Sequence, residues 1–243
     1  MSLAGRGIVV TRPRELAEPF ARLLERRGAR AIVFPAIEIQ PLPLPAALAR
    51  AAEFDIVVFV SPSAARVALP ALSPWPRGVA AAAVGSGTRR ELERAGIAPV
   101  IAPSAGADSE ALLREMQGVR GKRVLIVRGE GGRALLGETL AVRGANVEYA
   151  ECYRRVKPAT DPAALFGAWR AGQLHALTVS SAQALDNFIA MTGPELPAAL
   201  PLFVPHERVC AHARSRGQRE VVVAGPGDDE MIERLVAYFD EPA

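Results

Sequence analysis

Lysine is nearly missing from this 243-residue chain: Lys122 and Lys157 are its lysines, and arginine supplies the rest of the 29 basic residues. Cysteine is as scarce, with Cys152 and Cys210 alone, too few for a disulfide framework and typical of a reduced compartment. Aromatic residues make up 5% of the chain and no run of five basic residues occurs, so neither a base-stacking surface nor a nucleic-acid partner is expected. No apolar run reaches the roughly 18 to 20 residues of a membrane span, and the longest, Ile56 to Val60 and Ala80 to Val84, have the length of strands. The opening, Met1 to Arg6, is polar and has no apolar segment with a cleavage site, which sets the expectation of a cytoplasmic location without a membrane partner.

What is present points to a globular protein. Half of the residues are hydrophobic, enough for a substantial core, and the net charge is only +3. Arginine forks suit carboxylates and phosphates, but codon usage in a GC-rich genome also produces an arginine excess, so individually placed arginines count and the total does not. Short β-branched runs alternate with helical stretches, the pattern of parallel strands joined by crossover helices. Strands are expected at Gly7 to Thr11, Arg30 to Phe34, Asp55 to Val60, Val79 to Val84 and Pro99 to Ala102. In the second half they are expected at Arg123 to Arg128, Val147 to Ala150, His175 to Val179, Leu202 to Val204 and Glu220 to Val223, with a last helix at Asp228 to Phe239. Leu16, Phe20, Leu23 and Leu24 share one face of a first helix, Arg14 to Arg27, which Gly28 ends.

The halves also resemble each other. Gly5 to Arg12 aligns with Gly121 to Arg128, and at the same offset Arg27-Gly28-Ala29 falls on Arg143-Gly144-Ala145. A second block matches Asp55 to Ser61 with His175 to Ser181, so two copies of one α/β unit are expected. Between the copies, Phe34 to Pro41 and Glu148 to Val156 alternate like strands that leave a domain. If they pair, they form a two-stranded ladder acting as a hinge, formed by residues 35–41 and 150–157. One domain is then discontinuous, 1–36 with 157–243, and the other spans 41–150.

Other signals are discounted. Gly85-x-Gly87 opens a helix after a strand, but Arg90 stands where a dinucleotide fingerprint needs its third glycine. His206 and Cys210 are spaced i, i+4, yet His212 falls off that face and no carboxylate completes a metal set. No nucleophile, histidine and acid arrangement stands out.

Several of these segments carry a resemblance to the uroporphyrinogen-III synthase family, across essentially the whole chain. They are Val10 to Pro13, the Pro35 to Pro41 crossover, Asp55 to Ser61 with Pro62 and Ala64, and Val84-Gly85 with Thr88. They continue with Val127-Arg128-Gly129, Gly132-Arg133, Gly144-Ala145 with Val147, Tyr153-Arg154 and Ser180-Ser181. Each is weak alone, and their order and spacing are specific. The resemblance implies an α/β fold of two flavodoxin-like parallel-sheet domains joined by a β-ladder, with the active site in the cleft between them. The implied reaction closes linear hydroxymethylbilane, with inversion of ring D, to uroporphyrinogen III. No cofactor and no metal are implied, and a monomer is expected.

Such a substrate has eight carboxylates, so its site needs many hydrogen-bond donors. Strand-to-helix turns supply them, because helix amino termini expose free N–H groups beyond the carboxyl ends of parallel strands. Substrate-binding roles are therefore expected for Ser61, Gly85, Ser86, Thr88, Gly129 and Ser181, although serine and threonine also cap helices for stability alone. Arg12 and Arg128 occupy equivalent places after the first strand of each copy. They would either pair with substrate acid groups or bond a neighbouring carboxylate such as Glu15 or Glu130. Tyr153 matches a tyrosine the family places near substrate and is the candidate catalytic proton donor for the departing hydroxyl, with water as rival; a strand aromatic covering the ladder is the plain alternative. One turn departs from the family pattern: Val204-Pro205-His206-Glu207-Arg208 puts proline, which has no N–H, where small donors are usual. Outside this family, a non-catalytic two-domain binding protein fits the same shape, whereas a receiver-type signalling module would need an aspartate at a strand end, and Asp55 begins its strand.

Overall fold

The apolar runs form parallel strands buried on both faces. A computed structural model describes residues 3–104, 106 and 108–240. The expected outer limits of the first domain, 1 and 243, and the start of the Met1 to Arg6 segment lie outside the described residues. The chain divides into two compact units, residues 1–38 with 156–243 and residues 39–155. Among the described residues no helix is long and apolar enough to cross a membrane.

The first unit begins with β1 (Gly7–Val10), α1 (Arg14–Arg26) and β2 (Arg30–Val33). The chain then runs through β3 (Glu38–Pro41) into the second unit: α2 (Ala46–Ala49), β4 (Ile56–Phe59), α3 (Pro62–Ala68), β5 (Ala80–Ala83), α4 (Ser86–Arg94), β6 (Val100–Ile101) and α5 (Ser109–Glu115). That unit ends with β7 (Arg123–Gly129), α6 (Leu135–Val142) and β8 (Asn146–Val156). The first unit resumes as α7 (Ala163–Arg170), β9 (Ala176–Thr178), α8 (Ala182–Thr192), α9 (Glu195–Ala198), β10 (Leu202–Val204), α10 (Glu207–Ser215), β11 (Val221–Val223) and α11 (Asp228–Asp240).

The first unit's sheet has the order β11-β10-β9-β1-β2, and the second unit's has β3-β8-β7-β4-β5-β6. All pairings in the first sheet are parallel, as are those from β8 to β6 in the second. Matching β1 to β7, β2 to β8 and β9 to β4, as the sequence repeat does, makes the two orders the same apart from the edge strand β3, which has no counterpart in the first unit, with β10 and β11 falling on β5 and β6. The first unit has the flavodoxin-type order, and the second is its circular permutation. The match reaches individual hydrogen bonds. After α1, Gly28 at φ 85° donates to Glu25 and Ala29 donates to Leu24. After α6, Gly144 at φ 87° donates to Ala141 and Ala145 donates to Leu140. Both are the glycine-dependent closure in which the positive φ lets two orphan helix carbonyls find donors.

Each sheet buries alternate residues on opposite faces. In the second unit Val57, Phe59, Leu125 and Val127 pack with α3 and Leu92 on one side, while Val58, Val124 and Ile126 pack with Leu112 and Leu140 on the other. In the first, Ile8, Val10, Phe20, Leu24, Phe203 and Leu235 form one such layer. The strands β3 and β8, through which the chain enters and leaves the second unit, are neighbours at the edge of its sheet. A fragment of residues 39–155 is expected to unfold cooperatively, whereas 41–150 discards Cys152 and Tyr153, both fully buried in the core. Losing a buried aromatic ring alone costs about 3 to 5 kcal/mol. Urea melts of the two fragments test this, and equal midpoints would count against it.

Candidate functional site

In an open parallel sheet, ligands bind beyond the carboxyl ends of the strands, where neighbouring strands send their connections in opposite directions. That point lies between β1 and β9 in the first unit and between β4 and β7 in the second.

In the first unit the two switch-point strands are clasped by their threonines. The Thr11 hydroxyl donates to the Thr178 carbonyl at 2.8 Å, and the Thr178 hydroxyl donates to the Val9 carbonyl at 2.9 Å. Arg12 follows directly. Its Nη1 donates to Asp228 Oδ1 at 2.5 Å, at the start of α11, and its guanidinium lies 4.1 Å from the Phe20 ring centre. The carboxylate it meets is thus Asp228 and not Glu15. Ser181 caps α8, accepting from the Ala184 N–H at 3.2 Å. After β10, His206 is the residue capping α10 and Pro205 precedes it. The proline therefore lies before the cap and removes no N–H from the first helical turn. His212, the outlier of the discounted set, lies with Nε2 3.0 Å from Asp186 Oδ1.

The second unit gathers most of the candidates, because β8, β7, β4 and β5 are consecutive neighbours. Ser61, two residues beyond β4, caps α3, accepting from the Ala64 N–H at 3.0 Å. Gly85 precedes α4 in an extended conformation; Ser86 is exposed, and Thr88 is buried. Arg128 spends its donors on the protein. Nε and Nη2 donate to Glu151 Oε1 at 3.1 and 2.9 Å, and Nη1 donates to the Gly132 and Arg133 carbonyls at 3.1 and 3.4 Å. The guanidinium also stacks 4.0 Å from the Tyr149 ring centre. Glu151, not Glu130, is its acid partner, and the arginine fastens the turn that follows β7.

Tyr153 owes its position to an irregularity in β8. Arg128 stands opposite Glu151, but Gly129 stands opposite Tyr153, so Cys152 is an extra residue in the ladder. An unbroken strand would point Cys152 and Tyr153 to opposite faces; the bulge turns both into the core, where each is fully buried. The tyrosine ring then lies over Gly129, where a Cβ would come within 2.6 Å of Cζ. Burial pushes the Cys152 thiol up to about 11, so it stays protonated and its Sγ–H points to the Arg128 carbonyl at 3.6 Å. The Tyr153 hydroxyl is 3.0 Å from Ser61 Oγ and accepts from Arg155 Nη2 at 3.0 Å. The nine candidates thus fall into two groups, Arg12 with Ser181 and Ser61, Gly85, Ser86, Thr88, Arg128, Gly129 with Tyr153. Arg155, Glu151 and Asp228 were not singled out by sequence; Arg155 stands in the Tyr153-Arg154-Arg155 run, two residues from the tyrosine it bonds.

Residues 18–233 match the family profile of uroporphyrinogen-III synthase HemD. The chain belongs to this family. It is 33% identical to uroporphyrinogen-III synthase of Escherichia coli (strain K12) over 94% of this chain and 99% of that protein. It is 34% identical to the Salmonella typhimurium enzyme over the same shares. Among solved structures, a mutant uroporphyrinogen III synthase from the extremely thermophilic bacterium Thermus thermophilus matches with a TM-score of 0.62 at 19% identity, covering 98% of this chain and all of that one. The Helicobacter pylori uroporphyrinogen-III synthetase matches with a TM-score of 0.53 at 14% identity, covering 96% and 99%. At these identities the structural likeness speaks for the fold, and the family assignment rests on sequence.

Proposed function

We infer that this chain is a uroporphyrinogen-III synthase, a lyase of haem biosynthesis that closes hydroxymethylbilane with inversion of ring D. The match of residues 18–233 to the family carries this reading. In the proposed reaction the ring A hydroxyl departs with help from its own pyrrole nitrogen, giving an azafulvene. The substituted α-carbon of ring D attacks it, and the spirocyclic intermediate fragments and recombines with ring D inverted. Such chemistry needs a flexible chain folded into one geometry and a delocalised cation stabilised, more than it needs a strong nucleophile. Ser61, Gly85, Ser86, Thr88 and Gly129 at one sheet edge, and Arg12 and Ser181 at the equivalent edge of the first unit, are proposed to take the substrate's acid groups. Arg128 is proposed to act there too, through the turn it fastens. The same reading makes the enzyme a cytoplasmic monomer that works without cofactor or metal, its units joined at the strands 35–41 and 150–157.

Metal-stripped protein incubated with hydroxymethylbilane is expected to yield the III isomer, whereas spontaneous closure yields the symmetric I isomer. Chromatography of the oxidised products separates the two. Isomer I alone would overturn the assignment and favour a non-catalytic binding protein.

A further inference from the structure

Tyr153 is fully buried, so its hydroxyl meets the sheet edge only through its neighbours. Arg155 can only donate, and its Nη2 occupies one lone pair of the phenol oxygen at 3.0 Å. The Ala64 N–H occupies one lone pair of Ser61 Oγ at 3.0 Å. Between the two hydroxyl oxygens, also 3.0 Å apart, lies a single proton. If Ser61 donated it, the phenol hydrogen would be left in the core without an acceptor among the described residues, an arrangement that burial penalises. If Tyr153 donates it, the phenol hydrogen has its acceptor in Ser61 Oγ and the Ser61 hydrogen is left for a partner outside the pair. Ser61 is also the half-exposed member of the pair.

We propose that Ser61 is the group that hands a proton to the departing hydroxyl, with Tyr153 resupplying it from behind and Arg155 serving as the positioning residue. The inference rests on the proposed activity, replaces direct donation by Tyr153, and assigns the single Ser61 proton to the reacting hydroxyl in place of a substrate acid group. As the carbon–oxygen bond of the hydroxymethyl group breaks, its electron pair stays on oxygen, and that oxygen takes the Ser61 proton to leave as water. The pyrrole nitrogen's electrons form the new double bond to the freed carbon. Ser61 recovers a proton from Tyr153, and the Arg155 guanidinium beside the phenol oxygen stabilises the negative charge this leaves. The proton lost from the other, unsubstituted α-carbon of ring D, which forms the last bond and must shed its hydrogen for that ring to regain aromaticity, restores the phenol, so the enzyme ends unchanged.

The test is a mutant cycle on the full-length chain, with uroporphyrinogen III formation from hydroxymethylbilane as the readout. Ser61→Ala is expected to lower kcat by about 10²-fold or more with KM nearly unchanged, and Ser61→Thr, which keeps a hydroxyl, to recover most of it. The double variant Ser61→Ala with Tyr153→Phe should be no slower than the slower single variant, because the residues act as one chain. Arg155→Met should lower kcat in the parent and have no further effect beside Tyr153→Phe. Should Ser61→Ala not fold, Ser61→Gly, which helix caps tolerate, carries the same comparison. Full activity of the Ser61 variants, multiplying losses in the double variant, or an Arg155→Met effect confined to KM each overturns the relay. A parent chain that makes only isomer I instead removes the proposed activity itself, so the two failures are told apart.

Discussion

Tyr153→Phe is expected to slow formation of uroporphyrinogen III by about 10² to 10⁴-fold while leaving the protein folded, the range that general acid assistance contributes. The substitution keeps the ring that packs against Gly129 and removes one oxygen, which is bonded to Ser61 and Arg155. Losing a hydrogen-bonded hydroxyl costs about 1 kcal/mol of stability, so the melting temperature should move by only a few degrees. Tyr153→Ala differs in kind. It empties a fully buried aromatic site and should cost about 3 to 5 kcal/mol, so its lost activity would mix chemistry with unfolding. Rates and melting curves for both variants, measured side by side, separate the contributions. If Phe keeps nearly full activity and Ala does not, the ring shapes the site and the hydroxyl is idle.

Gly129→Ala is expected to damage stability and turnover together. A Cβ there would lie 2.6 and 2.7 Å from Tyr153 Cζ and Cε2, distances at which something must move. The ring is enclosed by core and cannot swing aside, and the backbone of Gly129 is tied into the β7–β8 ladder. Overpacking of this kind costs about 1 to 3 kcal/mol, and the displaced ring should carry its hydroxyl away from Ser61. Adding Tyr153→Phe does not help, because Cζ and Cε2 remain. Adding Tyr153→Leu removes the clashing atoms and should restore part of the melting temperature without restoring activity. Calorimetry of the single and double variants decides the matter: an unchanged melting temperature for Gly129→Ala would mean that the glycine is not required by the ring.

The strands themselves, though not their order in the sheets, were readable in outline because parallel strands buried on both faces leave continuous apolar runs, and the repeated glycine closures at Gly28 and Gly144 marked the copies. Even Ala80–Ala83, helix formers by intrinsic preference, showed as a strand through the length of the run, and the pairing of β5 between β4 and β6 holds them extended. The one-turn helices Ala46–Ala49 and Glu195–Ala198 gave no signal, since a single turn after a proline has no periodicity to detect. Residue types at the strand-to-helix turns were legible, and their partners were not. Arg12 and Arg128 meet Asp228 and Glu151, 216 and 23 residues away in sequence, which no local pattern encodes. The facing of Tyr153 was hidden for a similar reason. Alternation along a strand predicts faces only while the ladder is regular, and the bulge at Cys152 is a property of two strands at once.

The permuted order of the two units also sets a timetable for synthesis. The segment from β1 to β2 is made first, but the next strand of its own sheet, β9, pairs Ile8 with Ala176. Roughly 140 residues separate the end of β2 from the start of β9, and at about 5 to 20 residues per second the ribosome needs on the order of 7 to 30 s to deliver them. All strands of the second unit from β4 to β8 are produced within that interval, so the unit that begins later can be finished first. Until β9 arrives, the fully apolar Gly7–Val10 strand has one flank without its partner, an open strand edge during synthesis.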